Sequence, residues 1–199
     1  MLKAAVFDLG GVYFTNGTER LIGIISKKHA IPEEKVRRAF DLGLGRDYPV
    51  SESEVYDVWR IFSGRLGLKD APEKLDRLDL EGYTPIEGTV GIIRRLRSHG
   101  IRVFYLSDIT PERVDYFNSK YRFLDDFDGG VFSFELGTSK PDPKMYRAVL
   151  RKAGVKPIDA VFIDDKKKLL RPAMEMGFKA IHFKNSKQLS ASLRKLGLI

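Results

Sequence analysis

Five short apolar runs constrain the fold more than any other feature of the chain: AAVF at 4–7, IRVFYLS at 101–107, GGVFSFEL at 129–136, DAVFIDD at 159–165 and KAIHF at 179–183. Runs of this length, rich in Val, Ile, Phe and Tyr, read as buried strands. An amphipathic stretch of helical period follows each of them. Strands alternating with helices at this spacing specify an α/β fold: a parallel sheet covered on both faces, with right-handed crossovers.

The helix punctuation agrees. TVGIIRRLRSHG at 89–100 stops at a glycine, as helices often do just past their last turn. Thr110 is placed to cap the helix that Pro111 starts, and Asp142 the one that Pro143 starts, with Gly154 beyond the latter's end. Between the first and second runs the pattern is all-helical. Leu21, Ile22, Ile24 and Ile25 mark one helix; Pro32 opens a second carrying Val36, Ala39 and Phe40; Ser51 and Glu54 stand at capping-box spacing before Val55, Val58, Trp59 and Phe62; a short fourth runs from Pro72 to Leu78. These boundaries divide the chain into an α/β core of residues 1–16 and 82–199 and a helical insert of residues 17–81.

With 199 residues the chain can bury a sizeable core. It has no cysteine, which excludes disulfides, thiolate zinc sites and cysteine nucleophiles. No apolar stretch is long enough to cross a bilayer, and no basic region followed by an apolar run opens the chain, so a cytoplasmic location is expected. The formal charge of +8 permits anionic ligands. KKHA, RRLR and KKKLLR lie in predicted helices, where charge runs form solvated faces. No nucleic-acid-binding signature accompanies them, so neither nucleic acid nor membrane is expected as a partner.

The chemistry gathers at the ends of the strands. Ligands of open parallel sheets bind at the carboxyl ends, and here those ends carry Asp8, the pair Ser107-Asp108 and the pair Asp164-Asp165, with Lys140 after the third run. Carboxylates on one rim repel unless a cation sits among them. Mg²⁺ prefers such hard oxygen ligands and bridges carboxylate to phosphate, while Lys and Ser suit the remaining phosphate oxygens.

The ordered pieces VFDLGGV, YLSD, GTSKPDPKMY and VFIDDKKKLLRPAMEMG resemble the four motifs of the haloacid dehalogenase superfamily, in the right order and across nearly the whole chain. The likeness is to sugar-phosphatase-like members and to the amino-terminal domain of bifunctional epoxide hydrolases. It implies a Rossmann-like core with the helical insert as a small cap over the site. It further implies a Mg²⁺-dependent phosphomonoester hydrolase in which Asp8 is the nucleophile and forms an aspartyl-phosphate. Asp8, the Gly10 carbonyl and Asp165 would hold Mg²⁺, with Asp164 beside them. Ser107, Lys140 and the Leu9 amide would hold the phosphoryl group.

Two positions depart from the pattern. Related phosphatases carry a second aspartate two residues after the nucleophile, for acid–base work; here it is Gly10. Asp108, or Asp41, Asp47 or His29 from the cap, are candidates for that role. Asp108 also stands where many members have asparagine. A catalytically weak phosphate-binding or scaffold protein is a second reading. A haloacid dehalogenase is a third, with Arg37, Arg38 and Arg46 as cap arginines; that chemistry needs no Mg²⁺ and leaves the Asp164-Asp165 pair unexplained. A cap this small suits a small phosphorylated metabolite, a sugar phosphate among the candidates. Oligomeric state is not legible from these patterns.

Overall fold

A computed structural model describes residues 2–44 and 51–199. The five runs form β1 (Ala4–Phe7), β2 (Arg102–Ser107), β3 (Gly129–Phe132), β4 (Ala160–Asp164) and β5 (Lys179–His182). They make one sheet of order β3-β2-β1-β4-β5, parallel at each pairing. The helices are α1 (Gly17–His29), α2 (Glu33–Leu44), α3 (Glu52–Leu66), α4 (Pro72–Glu81), α5 (Glu87–Ser98), α6 (Pro111–Tyr121), α7 (Pro143–Ala153), α8 (Lys167–Glu175) and α9 (Ser186–Lys195).

Successive strand side chains point to opposite faces, and here both faces are covered. Ala5, Phe7, Val103, Tyr105, Val161 and Ile163 meet α5, α6 and α9 through Ile93, Phe117 and Leu193. Ala4, Val6, Phe104, Leu106 and Phe162 meet α7 and α8 through Met145, Tyr146, Val149 and Leu170. Burial on both sides is why these strands read as continuous apolar runs rather than alternating ones. β1 lies at the centre. From it the chain winds outward to β2 and β3, then returns to β4 on the other side. The crevice between β1 and β4 is therefore the topological switch point, where such sheets bind ligands.

Helices α1 to α4 leave the core after Phe14 and gather an apolar cluster of their own around Leu21, Ile25, Val36, Trp59, Phe62 and Leu75. The outgoing and returning chains are tied at the neck: Thr15 N–H donates to the Thr84 carbonyl at 2.8 Å and Ile86 N–H to the Tyr13 carbonyl at 2.7 Å. Backbone packs on backbone there. A Cβ on Gly17 would stand 2.3 Å from the Asp79 carbonyl oxygen, so no larger residue fits without moving α4.

Four local expectations are corrected. The GGVFSFEL strand stops at Phe132, because Ser133 Oγ accepts from Ile109 N–H at 3.0 Å and donates to the Ile109 carbonyl at 3.1 Å, drawing the chain into a 3₁₀ turn over Ser133–Glu135. Thr110 makes no side-chain cap for α6; its Oγ1 is buried without a hydrogen-bond partner. Pro32 precedes α2, offering its carbonyl to Lys35 and Val36. The short helix from Pro72 runs on to Glu81, because Asp76 and Asp79 are buried on its inner face rather than marking an end. Arg46, Asp47 and Tyr48 lie outside the described residues.

Candidate active site

β1 delivers Asp8 to the switch-point crevice, where its amide donates to the Ile163 carbonyl of β4 at 2.9 Å. The next residues fold back at once. The Leu9 carbonyl accepts from Tyr13 and Phe14, each at 2.9 Å, and Gly11 takes a positive φ of 82°. A Cβ there would fall 2.5 Å from Asp165 Oδ2, so glycine lets this turn press against the end of β4. Gly10 is different: a Cβ would meet only Tyr83, at an ordinary 3.7 Å.

Lys140 crosses the site from the loop before α7. Its Nζ donates to Asp8 Oδ1 at 2.7 Å and to Asp164 Oδ2 at 3.3 Å, and its side chain is 2% exposed. Burial works against the ammonium, but Asp8, Asp164 and Asp108 together hold its pKa well above the usual lysine range. Its backbone N–H donates to Asp108 Oδ1 at 2.9 Å. Asp108 therefore braces the lysine loop, which gives the departure from asparagine a structural use: the carboxylate accepts that bond as an amide oxygen would. Burial, only partly opposed by Lys140, pushes its carboxyl above the ordinary range.

One oxygen from each of Asp8, Asp164 and Asp165 lies within 4.8 Å of the others. Asp164 is fully buried, and both its oxygens take donors: Oδ1 accepts Lys166 N–H at 2.7 Å and Oδ2 accepts Lys140. Asp165 differs. Its Oδ1 is buried with no hydrogen-bond partner among the described residues, and burial, then the charge of Asp8, raise its carboxyl pKa. A desolvated carboxylate oxygen beside another carboxylate is what a hard cation would relieve. The donor set fits Mg²⁺. Ser107 ends β2, 3% exposed, on the same rim.

A cleft of about 380 Å³ opens from this rim toward α1–α4. Asp8, Leu9, Gly10, Ser107, Asp108 and Lys140 border it. Of the cap residues considered for acid–base work, Asp41 borders the cleft, whereas His29 is exposed at the end of α1 and is not among the residues lining it. Arg37 borders it with its guanidinium bound to the Glu19 carboxylate, and Arg38 is exposed.

Sequence reasoning missed how α4 is fastened to the core. Arg113 of α6 is buried and binds Asp76, and at 2.8 Å Asp79 Oδ2. Thr18 Oγ1 donates to Asp79 Oδ1 at 2.7 Å, and Trp59 Nε1 to Asp76 Oδ1 at 3.0 Å. The signal was present: Arg113 falls one turn from Phe117 on the inward stripe of α6, and Asp76 and Asp79 stand one turn apart on α4.

A family model described as haloacid dehalogenase-like hydrolase matches residues 2–168. Among curated proteins, a sesquiterpene phosphatase of Aspergillus oryzae is 24% identical over 98% of this chain and 96% of its own. Flavin mononucleotide hydrolase 1 of Arabidopsis thaliana is 25% identical over 89% of this chain, which spans 63% of that protein. Among solved structures, a family enzyme of Bacteroides thetaiotaomicron in complex with magnesium and inorganic phosphate superposes with a TM-score of 0.66, at 23% identity over 93% of this chain and 96% of that one. The L-2-haloacid dehalogenase of Xanthobacter autotrophicus gives 0.70 at 18% identity, over 98% and 83%.

Proposed function

The chain belongs to the haloacid dehalogenase-like hydrolases, and from that premise we propose that it is a Mg²⁺-dependent phosphatase acting on the monoester of a small phosphorylated metabolite. The observation that carries this is the pairing of two unlike carboxylate environments on one rim. Asp8 is held by Lys140, while Asp165 keeps a buried oxygen without a partner. The first suits a nucleophile and the second a metal ligand. One curated relative is named a phosphatase and another a flavin mononucleotide hydrolase.

In this reading Asp8, the Gly10 carbonyl and Asp165 hold Mg²⁺, and Asp164 anchors Lys140. The ion supplies positive charge to the substrate phosphate, making phosphorus more open to attack. With Lys140 bound to Oδ1, Asp8 presents Oδ2 to phosphorus. A bond forms from Oδ2 to phosphorus as the bond from phosphorus to the alkoxide oxygen breaks. Lys140, Ser107 and the Leu9 amide steady the charge on the phosphoryl oxygens; one such donor is worth about 3 kcal/mol in the transition state. Water then attacks the aspartyl-phosphate at phosphorus, giving a proton to the Asp108 carboxylate that the first step leaves, and the bond from phosphorus to Asp8 breaks to release inorganic phosphate and restore Asp8.

The departing alkoxide needs a proton. Asp108 borders the cleft, and burial favours its protonated form, so it is assigned as donor. The helices of 17–81 serve as the cap, and a cytoplasmic setting without nucleic-acid or membrane partners belongs to the same proposal.

The test is hydrolysis of p-nitrophenyl phosphate with and without Mg²⁺. Turnover that requires the metal and vanishes in Asp8→Asn supports the reading. Metal-independent release of chloride from 2-chloropropionate would replace it with dehalogenation, a reading that the pairing of Arg37 with Glu19 disfavours. Asp108→Asn should slow alkyl phosphates far more than p-nitrophenyl phosphate, whose leaving group departs without a proton.

A further inference from the structure

The part of the cleft lined by α1, α2 and α3 carries a group of apolar side chains. Ile22 of α1, Phe40 of α2 and Val55, Val58 and Trp59 of α3 border it. Phe40 and Trp59 pack ring against ring at 5.4 Å. The Trp59 N–H, the ring's one polar group, is turned to Asp76, so what the indole offers the cleft is hydrocarbon.

Most of the polar side chains on this side already have partners. Glu19 and Arg37 bind each other, and Asp41 lies close enough to act on the Arg37 charge. Asp79 is bound by Thr18 and Arg113, and Thr18 Oγ1 also lies 3.1 Å from the Tyr83 hydroxyl. A polyhydroxylated leaving group placed here would give up water and meet few groups able to replace it. An apolar one would lose only unfavourable hydration. Lys140, Lys166 and Lys168 stand on the core side of the cleft, where the phosphate would lie, while Arg37 on the helical side is bound to Glu19 and Arg113 to Asp79. The cleft is thus polarised: the lysine charges stand at the catalytic end, and the other end joins a hydrocarbon patch to a charge pair already closed on itself.

We infer that the group released with the phosphate is an apolar alcohol, aliphatic or aromatic, seated against Ile22, Phe40, Val55, Val58 and Trp59, and not a sugar. This rests on the phosphatase reading and names the substrate class of the same site. The volume of about 380 Å³ is near the low end of ligand clefts, which span roughly 300–1,000 Å³. The alcohol is therefore small enough to be enclosed.

The experiment is calorimetric titration of the Mg²⁺-loaded protein with non-hydrolysable alkylphosphonates from methyl to octyl, beside a sugar phosphonate. Turnover of p-nitrophenyl phosphate is assayed in parallel. Affinity should tighten by about fourfold per added methylene until the cleft is full, and the sugar phosphonate should bind more weakly than the alkyl compound of similar size. Phe40→Ser should weaken hexylphosphonate several-fold more than methylphosphonate, and Phe40→Leu should restore most of that gain. Affinity that is flat along the series, absent, or highest for the sugar compound overturns the inference. Tightening along the series without any p-nitrophenyl phosphate turnover would leave the apolar patch standing and remove the phosphatase reading instead.

Discussion

Replacing Lys140 with methionine removes an ammonium that contacts both Asp8 and Asp164. Methionine keeps the length and apolar stem, so packing changes little and the effect is electrostatic. The lysine side chain is 2% exposed, and the carboxylates it holds at 2.7 and 3.3 Å are 8% and 0% exposed. Removing one partner from a buried pair leaves an uncompensated charge and costs roughly 3–5 kcal/mol. For a chain of this size each kcal/mol moves the melting temperature by about 2–4 °C, so the metal-free variant should melt roughly 6–20 °C below the wild type. Mg²⁺ offers the stranded carboxylates another cation. At a hundred times its Kd it contributes about 2.7 kcal/mol, and the deficit should narrow when it is added. The sign with pH also follows. A lysine whose folded pKa is raised contributes stability fully below its unfolded value near 10.5, and loses it only as pH climbs through the higher folded value. The lysine's own titration therefore adds no pH dependence between about pH 7 and 9, and any slope there comes from the carboxylates it leaves, Asp164 first, whose pKa is already raised to about 7. Thermal unfolding by circular dichroism, with chelator and with Mg²⁺, measures all three. A deficit under about 1 kcal/mol, or one that Mg²⁺ leaves untouched, would refute the reasoning.

Gly11→Ala forces a Cβ against Asp165 at a positive φ; calorimetry should show Mg²⁺ affinity reduced by about 10- to 100-fold, the range for disturbing the support of a ligand. Gly10→Asp meets no steric bar at its Cβ and places a second carboxyl two residues after the nucleophile, so steady-state kinetics on alkyl phosphates should show a gain approaching the roughly 10² of general acid catalysis, with little change for p-nitrophenyl phosphate. Burial raises the Asp79 carboxyl pKa against the pull of Arg113, so its contribution to stability is fullest below about pH 4 and declines as pH rises toward the folded value. The urea midpoint of Asp79→Asn, which keeps the acceptor for Thr18, should accordingly gain on the wild type between pH 4 and 7.

The parts of this protein written in local pattern were legible in its residues. AAVF and DAVFID read as strands because both faces of a parallel sheet are buried, which leaves short unbroken runs rich in β-forming residues. Asp142, Pro143 and Gly154 bounded α7 because capping is a matter of neighbouring residues, and Ser51 likewise accepts from the third residue on. The convergence of Asp8, Asp164 and Asp165 followed from each lying at the carboxyl end of its strand, and Lys140 joins them from the loop between β3 and α7. What escaped the sequence depends on residues far apart along the chain. Ser133 ends β3 through Ile109, 24 residues away. Arg113 finds Asp76 and Asp79 across the neck, 37 and 34 residues away. The part of Asp108 in bracing Lys140 needs a backbone N–H whose direction no residue type reveals. The apolar lining of the cleft was hidden differently: Trp59 and Val55 sit on a helical stripe, and a stripe facing a cavity has the same spacing as one facing a filled core.

The central claim is that Asp8 takes up phosphorus with Mg²⁺ beside it. Acid-quenching the enzyme a few milliseconds after mixing with p-nitrophenyl phosphate and Mg²⁺, then sequencing its peptides by mass spectrometry, reads that claim directly. The account requires one phosphoryl group on the peptide that carries Asp8, absent when Mg²⁺ is withheld and absent in Asp8→Asn. Phosphate released at full rate with that peptide unmodified in Asp8→Asn, or a phosphoryl group on any other residue, would contradict it.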